Sequence, residues 1–209
     1  MSIEALVPLK RLDYAKTRLA SVLDPPTRVR VMRALLDHTL AQVKAAPSIG
    51  SVTLVSSALE APSIAAEHGV AHFDDRGAPW NDALAAAIAA AVTADGVIIV
   101  SADVPLLTTN DVESFVAALP ERGAAIARST DAGTNGVAMR PSGAMATCFG
   151  AKGSAVLHVE LAEAAGLVSV IVDIEGLAHD LDTASDLEEV LRRELSPDVR
   201  AVLAGALAQ

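Results

Sequence analysis

A three-layer α/β/α fold with a mostly parallel central sheet is predicted by two properties of the chain. The run Val97-Ile98-Ile99-Val100, bounded by Gly96 and Pro105, is apolar and β-branched throughout, the pattern of a strand buried on both faces in the middle of a parallel sheet. Hydrophobic residues make up 52% of the 209 residues while aromatics contribute 2%, so the core must be built from Ala, Val, Leu and Ile, which favours helices packed closely on a sheet. The length suits one sizeable domain, residues 1–209.

The elements follow in order. Residues 3–7 read as a first strand ending at Pro8. Val29, Met32, Leu35, Leu36, Leu40 and Val43 fall at helical spacing in a helix from Thr27 to Val43, opened by Pro25-Pro26 and closed by Pro47. Arg28, Arg30 and Arg33 lie on or beside its polar side as solvated or paired charges. A strand over Ser51–Ser56, a short helix over Ser63–Gly69 and a strand over Val70–Phe73 come next. His68 and His72 are four apart, but one closes a helix and the other sits in a strand, so they do not form a metal pair. An Ala-rich helix runs to Thr93, with Asn81 or Asp82 as its N-cap by type and position. After the central strand come a helix over Thr108–Leu119 capped by Thr108 or Thr109, a strand over Ala124–Ala127, and a Gly-rich loop leading into another strand. A helix over Ala155–Ala165, a strand over Val168–Ile174, a charged helix reaching Leu195 and an Ala/Leu tail helix over Pro197–Gln209 complete the chain. The tail is expected on the surface or against a partner, and the apolar helices permit a homodimer.

Composition narrows the function classes. A net charge of −10 argues against a nucleic-acid or membrane-surface binder, since phosphate backbones are held by clustered Lys and Arg. The single Cys148 rules out an intramolecular disulfide, which suits a reducing cytoplasm. No apolar stretch approaches the roughly 20 residues of a membrane helix, and no signal peptide is evident.

Against this acidic background three stretches carry chemistry. Asp103 stands at the carboxyl end of the central strand, where open α/β sheets bind ligands, and it must be solvated, paired or coordinated unless it merely caps the next element. Lys10, Arg11, Lys16 and Arg18 crowd nine positions behind the first strand, a set of cations suited to phosphate or polyphosphate. Gly150-Ala151-Lys152-Gly153-Ser154 opens a helix and reads as a small anion site made from backbone amides, the helix dipole and one hydroxyl; its spacing is not that of a P-loop. Asp180 and Asp182 add hard oxygen donors of the kind Mg²⁺ prefers, although Asp182 also reads as the N-cap of the helix behind it.

Val7-Pro8-Leu9-Lys10 with Ala15-Lys16-Thr17-Arg18-Leu19, Asn81-Asp82-Ala83-Leu84, Asp103-Val104-Pro105-Leu106-Leu107, Gly133-Thr134-Asn135, Phe149-Gly150 with Gly153-Ser154 and His158, and Asp180-Leu181-Asp182-Thr183 recur in one order across nearly the whole chain. In this the sequence resembles the 2-phospho-L-lactate guanylyltransferases and the related phosphoenolpyruvate guanylyltransferases of deazaflavin coenzyme F-420 biosynthesis. It departs at Pro79-Trp80, where Gly-Leu is expected, and at Gly136, where Ala is commoner. The resemblance implies a nucleotide-diphospho-sugar transferase-like (GT-A, Rossmann-like) fold and a Mg²⁺-dependent transfer of GMP from GTP to a small phosphorylated carboxylic acid. It implies metal binding by Asp103 and Asp182, with Asp180 the weaker candidate. Catalytic roles fall to Lys16 and Asp103. The nucleotide would meet Pro8, Lys10, Lys16, Arg18, Asn81 and Asp103, and the acid Thr134, Asn135, Gly150, Gly153 and Ser154. Two rivals keep the scaffold: a nucleotidyltransferase for a sugar or polyol phosphate or a molybdopterin, and a non-catalytic nucleotide-binding protein.

Overall fold

The computed structural model describes residues 2–12, 16–91 and 94–207. Three sequence expectations, the helix end at Thr93, the tail end at Gln209 and Ala15 of the Lys16 motif, lie outside the described residues. The elements are β1 (Ile3–Pro8), α1 (Pro25–Ala45), β2 (Ile49–Val55), α2 (Ala61–His68), β3 (Ala71–Phe73), α3 (Trp80–Ala90), β4 (Gly96–Val100) and α4 (Thr109–Ala117), followed by β5 (Gly123–Arg128), β6 (Thr134–Arg140), α5 (Ser154–Ala164), β7 (Val168–Val172), α6 (Glu175–Ala178), α7 (Ala184–Leu191) and α8 (Pro197–Leu207).

The strands form one sheet in the order β3-β2-β1-β4-β6-β5-β7. All neighbours are parallel except on the two sides of β6. The reversal has a local cause: β5 and β6 are joined only by residues 129–133, too few for the crossover that a parallel pair requires.

β4 lies between β1 and β6, and all five of its residues are buried. Because side chains alternate along a strand, a strand apolar at every position needs cover on both faces. Ile98 and Val100, with Ala5 and Val7, pack toward Leu36 and Leu40 of α1 and Phe115 of α4. Val97 and Ile99, with Leu6 and Met139, pack toward Leu84 and Ile88 of α3 and Ala155 of α5. Each fully buried Leu, Ile or Phe contributes about 1.5–3 kcal/mol. Gly136 of β6 has a packing reason: a Cβ there would lie 3.0 Å from the Phe115 ring, so the missing methyl admits the ring.

α8 settles the place of the tail within the chain. Val199, Leu203 and Ala206 join Val31 and Leu35 of α1 and Val190 of α7 in a third apolar cluster.

Several boundaries differ from the sequence expectations. α1 starts at Pro25 because the Asp24 carboxylate accepts the Thr27 N–H at 2.8 Å, and two prolines fit a first turn whose amides need no partner. Pro79, not Asn81 or Asp82, stands at the N-cap of α3 and offers no side-chain cap. Thr183, not Asp182, caps α7 through a reciprocal capping box with Asp186. β7 ends at Val172 because the chain turns into the short helix α6, which the apolar pattern did not mark, and α7 stops at Leu191. His68 and His72 take different partners: Nε2 of His68 meets Asp37 at 2.7 Å, and Nε2 of His72 meets the Ser56 carbonyl at 2.8 Å. Among the described residues, no helix is long and apolar enough to cross a membrane.

Candidate active site

A cleft of about 630 Å³ opens beyond the carboxyl ends of β1 and β4 and the first residues of antiparallel β6. β1 delivers Pro8 and Lys10, β4 delivers Asp103, and β6 delivers Thr134 and Asn135; the segment before α7 adds Asp180 and Asp182, and the turn before α5 adds Gly150, Gly153 and Ser154. Lys16 and Arg18 line the same space.

The acidic wall is assembled by backbone contacts. The Leu181 N–H donates to the Asp103 carbonyl at 3.2 Å, and the Leu181 side chain is fully buried in the third apolar cluster. Residues flanking a buried residue in extended chain point the other way, so Asp180 and Asp182 both face Asp103. Carboxylate oxygens of the three lie within 4.8 Å of one another. Because Asp186 takes the amides of Thr183 and Asp182 at 2.6 and 3.0 Å, the Asp182 carboxylate is released from capping.

That carboxylate meets Lys16 Nζ at 2.9 Å, and the same ammonium contacts Asp103. The Lys16 side chain is only 4% exposed. Burial works against its charge, but Asp103 and Asp182 more than offset it and raise its pKa. Lys16 has φ 54°, a left-handed conformation uncommon outside glycine and a strain often found at functional sites. Arg18, largely exposed, reaches Asp182 at 3.4 Å. Among the described residues Asp180 has no such cation: burial first, and the Asp103 charge second, push its carboxyl up to about 6, against a hydrogen bond from Asn135 Nδ2 at 3.3 Å.

Three carboxylates within reach of one another, one of them held toward neutrality, fit a divalent cation: the donors are hard oxygens, and a bound positive charge would offset the Asp103 repulsion that adds to burial in lifting Asp180.

The other lining of the cleft carries hydroxyls, with Lys152 of the same turn adding a positive charge. Thr134 Oγ1 lies 2.9 Å from Ser154 Oγ, and both side chains are buried at the edge of the cleft. Gly153 has φ +69°, which lets the turn enter α5 without a side-chain cap. The Ser154 N–H is taken by the Ala151 carbonyl at 3.1 Å, so the expected anion site rests on the hydroxyls more than on that amide.

Asn81 does not line the cleft. Its Oδ1 accepts from the Phe149 N–H at 2.9 Å and from the Thr147 hydroxyl at 3.0 Å, and its Nδ2 donates to the Phe149 carbonyl at 3.1 Å. The residue expected beside the nucleoside instead braces the turn that carries Gly150 to Ser154. Asn135 likewise holds Asp180 while lining the cleft. Residues passed over in the sequence also line it. Trp80 lies under the Lys10 ammonium, 5.1 Å from Nζ to the ring centroid. Asp131 is held well below the usual carboxylate range by the Ser129 hydroxyl and the Gly133 amide. Trp80 is the chain's one tryptophan and adjoins Asn81, a signal that was available.

A cationic edge, a carboxylate cluster and a hydroxyl-lined turn in one cleft suit two anionic ligands brought together around a cation. Comparison with known proteins agrees. Residues 3–195 match the family described as "Guanylyl transferase CofC like". The phosphoenolpyruvate guanylyltransferase of Sphaerobacter thermophilus is 40% identical over 193 residues, covering 91% of this chain and 93% of that one. The 2-phospho-L-lactate guanylyltransferase of Methanothermobacter thermautotrophicus is 31% identical over 189 residues, covering 90% and 83%. Among solved structures, a Desulfovibrio desulfuricans G20 protein assigned to the nucleotide-diphospho-sugar transferases superposes with a TM-score of 0.81 at 19% identity, covering 100% of this chain and 96% of that one, a likeness of fold. The chain belongs to the CofC-like guanylyl transferase family.

Proposed function

We propose that the protein is a cytoplasmic guanylyltransferase that transfers GMP from GTP to the phosphate of a small phosphorylated carboxylic acid, releasing pyrophosphate, in the biosynthesis of coenzyme F-420. The acids considered are 2-phospho-L-lactate, phosphoenolpyruvate and 3-phosphoglycerate. The observation that carries the reading is that the Lys16–Asp103–Asp182 cluster and the Thr134–Ser154 hydroxyl pair line one cleft, in a chain 40% identical to a phosphoenolpyruvate guanylyltransferase.

A phosphate monoester is already anionic at neutral pH, so its oxygen can attack the α-phosphorus of GTP without a general base. The bond from the α-phosphorus to the bridging oxygen of the β-phosphate breaks, and pyrophosphate leaves. The obstacle is bringing two polyanions together, which makes positioning and charge neutralisation the main tasks. Lys10, Lys16 and Arg18 supply positive charge along the β1 side of the cleft. Thr134, Gly153 and Ser154 form the pocket for the acid. Asp103, Asp180 and Asp182 would hold Mg²⁺, which supplies Lewis-acid polarisation and a template for the reacting phosphates. Asn81 and Asn135 keep the two walls in place.

The test is pyrophosphate release with Mg²⁺, each of the four nucleoside triphosphates, and each acid beside a sugar 1-phosphate. The reading expects turnover with GTP and one of the acids, lost in Asp103→Ala. Turnover with the sugar phosphate alone contradicts the acceptor assignment, and GTP binding without turnover contradicts catalysis.

A further inference from the structure

His158 of α5 is fully buried, in contact with the acceptor wall, and has no part in the transfer chemistry described above. Its Nε2 faces the Cys148 N–H at 3.0 Å, and a backbone amide can only donate. Nε2 is therefore the acceptor nitrogen. In the neutral ring the proton then sits on Nδ1, which lies 3.2 Å from Thr134 Oγ1. Burial keeps the ring neutral, pushing its pKa down to about 4 against a contact with the Ser154 backbone.

The tautomer decides how many protons the site can offer. Thr134 and Ser154 own one hydroxyl proton each, and the 2.9 Å bond between them uses one. With Nδ1 protonated and serving both Thr134 and the Ser154 backbone, Thr134 has no need to donate to the ring, and one of the two hydroxyl protons stays available to the cleft. If Nδ1 were the acceptor, Thr134 would donate to it and Ser154 to Thr134, and no proton would remain for a ligand.

We propose that His158 is a positioning residue for the acceptor subsite: anchored by the Cys148 amide, it orients the Thr134–Ser154 pair so that one hydroxyl proton faces an anionic oxygen of the bound acid. The inference rests on the reading of this wall as the acceptor site. It makes the subsite a donor to carboxylate or phosphate oxygen.

The test uses two substitutions that separate the two ring nitrogens. His158→Asn places an amide N–H near the Nδ1 position and gives up the Cys148 contact. His158→Gln places an amide oxygen near the Nε2 position and gives up the Thr134 contact. Dissociation constants for phosphoenolpyruvate, 2-phospho-L-lactate, 3-phosphoglycerate and inorganic phosphate are measured by calorimetry with Mg²⁺, and GTP binding is measured separately. His158→Gln is expected to weaken acid binding about tenfold, the size of one charge-assisted hydrogen bond, with GTP binding within about twofold of wild type. His158→Asn is expected to hold acid binding within about threefold while lowering the unfolding temperature. In the Ser154→Ala background, His158→Gln should cost no further acid affinity.

Equal weakening by Asn and Gln, wild-type acid binding in Gln, or parallel loss of GTP binding would overturn the proposal, as would a wild-type protein that binds none of the four anions. Binding of an acid without pyrophosphate release would overturn the transferase reading instead, and the affinities would still decide the role of His158.

Discussion

Asp180→Asn removes one negative charge from the carboxylate cluster and keeps its shape, including an oxygen for the Asn135 amide at 3.3 Å. The Asp180 carboxyl is pushed up from 3.8 to about 6, by burial first and by Asp103 second. The folded protein therefore holds that proton more tightly than the unfolded chain between those two values, and stability falls as pH rises across the window. Above pH 6 the fold carries the full penalty. At 1.36 kcal/mol per pKa unit this amounts to about 3 kcal/mol, and solvent access to the cluster reduces the expected gain from Asp180→Asn to about 1–2 kcal/mol. The assay is urea unfolding in EDTA at pH 7.5 and at pH 4. The variant should be the more stable protein at pH 7.5, and its advantage should shrink toward zero at pH 4. Millimolar Mg²⁺ should then stabilise the wild type more than the variant, since a ligand of the native state adds RT ln(1 + [L]/Kd). A variant less stable than wild type at pH 7.5 in EDTA, or an advantage independent of pH, would refute the electrostatic account of the cluster.

Three further outcomes are expected. Lys16→Met should lower kcat by about 100-fold or more in the pyrophosphate assay, and should lose about 1–3 kcal/mol in urea unfolding because Asp103 and Asp182 lose a shared, buried cation. His158 has a folded pKa of about 4, below the ordinary 6.5, so the fold binds fewer protons than the unfolded chain in that range. Its contribution to stability should fall by up to about 3 kcal/mol as pH drops from 6.5 to 4, and an imidazole NMR titration with a midpoint near 6.5 would contradict this. Asn81→Ala breaks three hydrogen bonds to Thr147 and Phe149; it should cost about 1–3 kcal/mol and raise KM for the acid more than KM for GTP, checked by thermal unfolding and steady-state kinetics.

The buried strand β4 and the carboxylate at its end were legible because both are local: a continuous apolar run belongs inside such a sheet, and the charge at its end, which could have been a cap, lines the cleft. The cap of α4 was legible by residue type as Thr108 or Thr109, and the structure places it at Thr108. For Asp182 the sequence left a cap and a metal ligand both open, because Asp and Thr at adjacent positions are equivalent caps by type. Only the reach of Asp186 to Thr183 decides between them, and that choice frees Asp182 for Lys16. Asn81 was placed by local pattern at an N-cap, yet its partners lie more than 60 residues ahead, across a contact that no local spacing encodes. The reversed β6 could have been inferred from the short 129–133 connection. The resemblance to the guanylyltransferases supplied the pairing of distant motifs that pattern alone cannot.

The most direct test of the proposed chemistry follows the oxygen that bridges the product. Wild-type protein is incubated with Mg²⁺, GTP and whichever acid supports turnover, with the acid's phosphate oxygens labelled with ¹⁸O, and the product is read by ³¹P NMR. Attack by the acid's phosphate on the α-phosphorus predicts a new pair of coupled diphosphate resonances, with ¹⁸O in the bridge and unlabelled pyrophosphate. GDP with inorganic phosphate, or a bridge without the label, would contradict it.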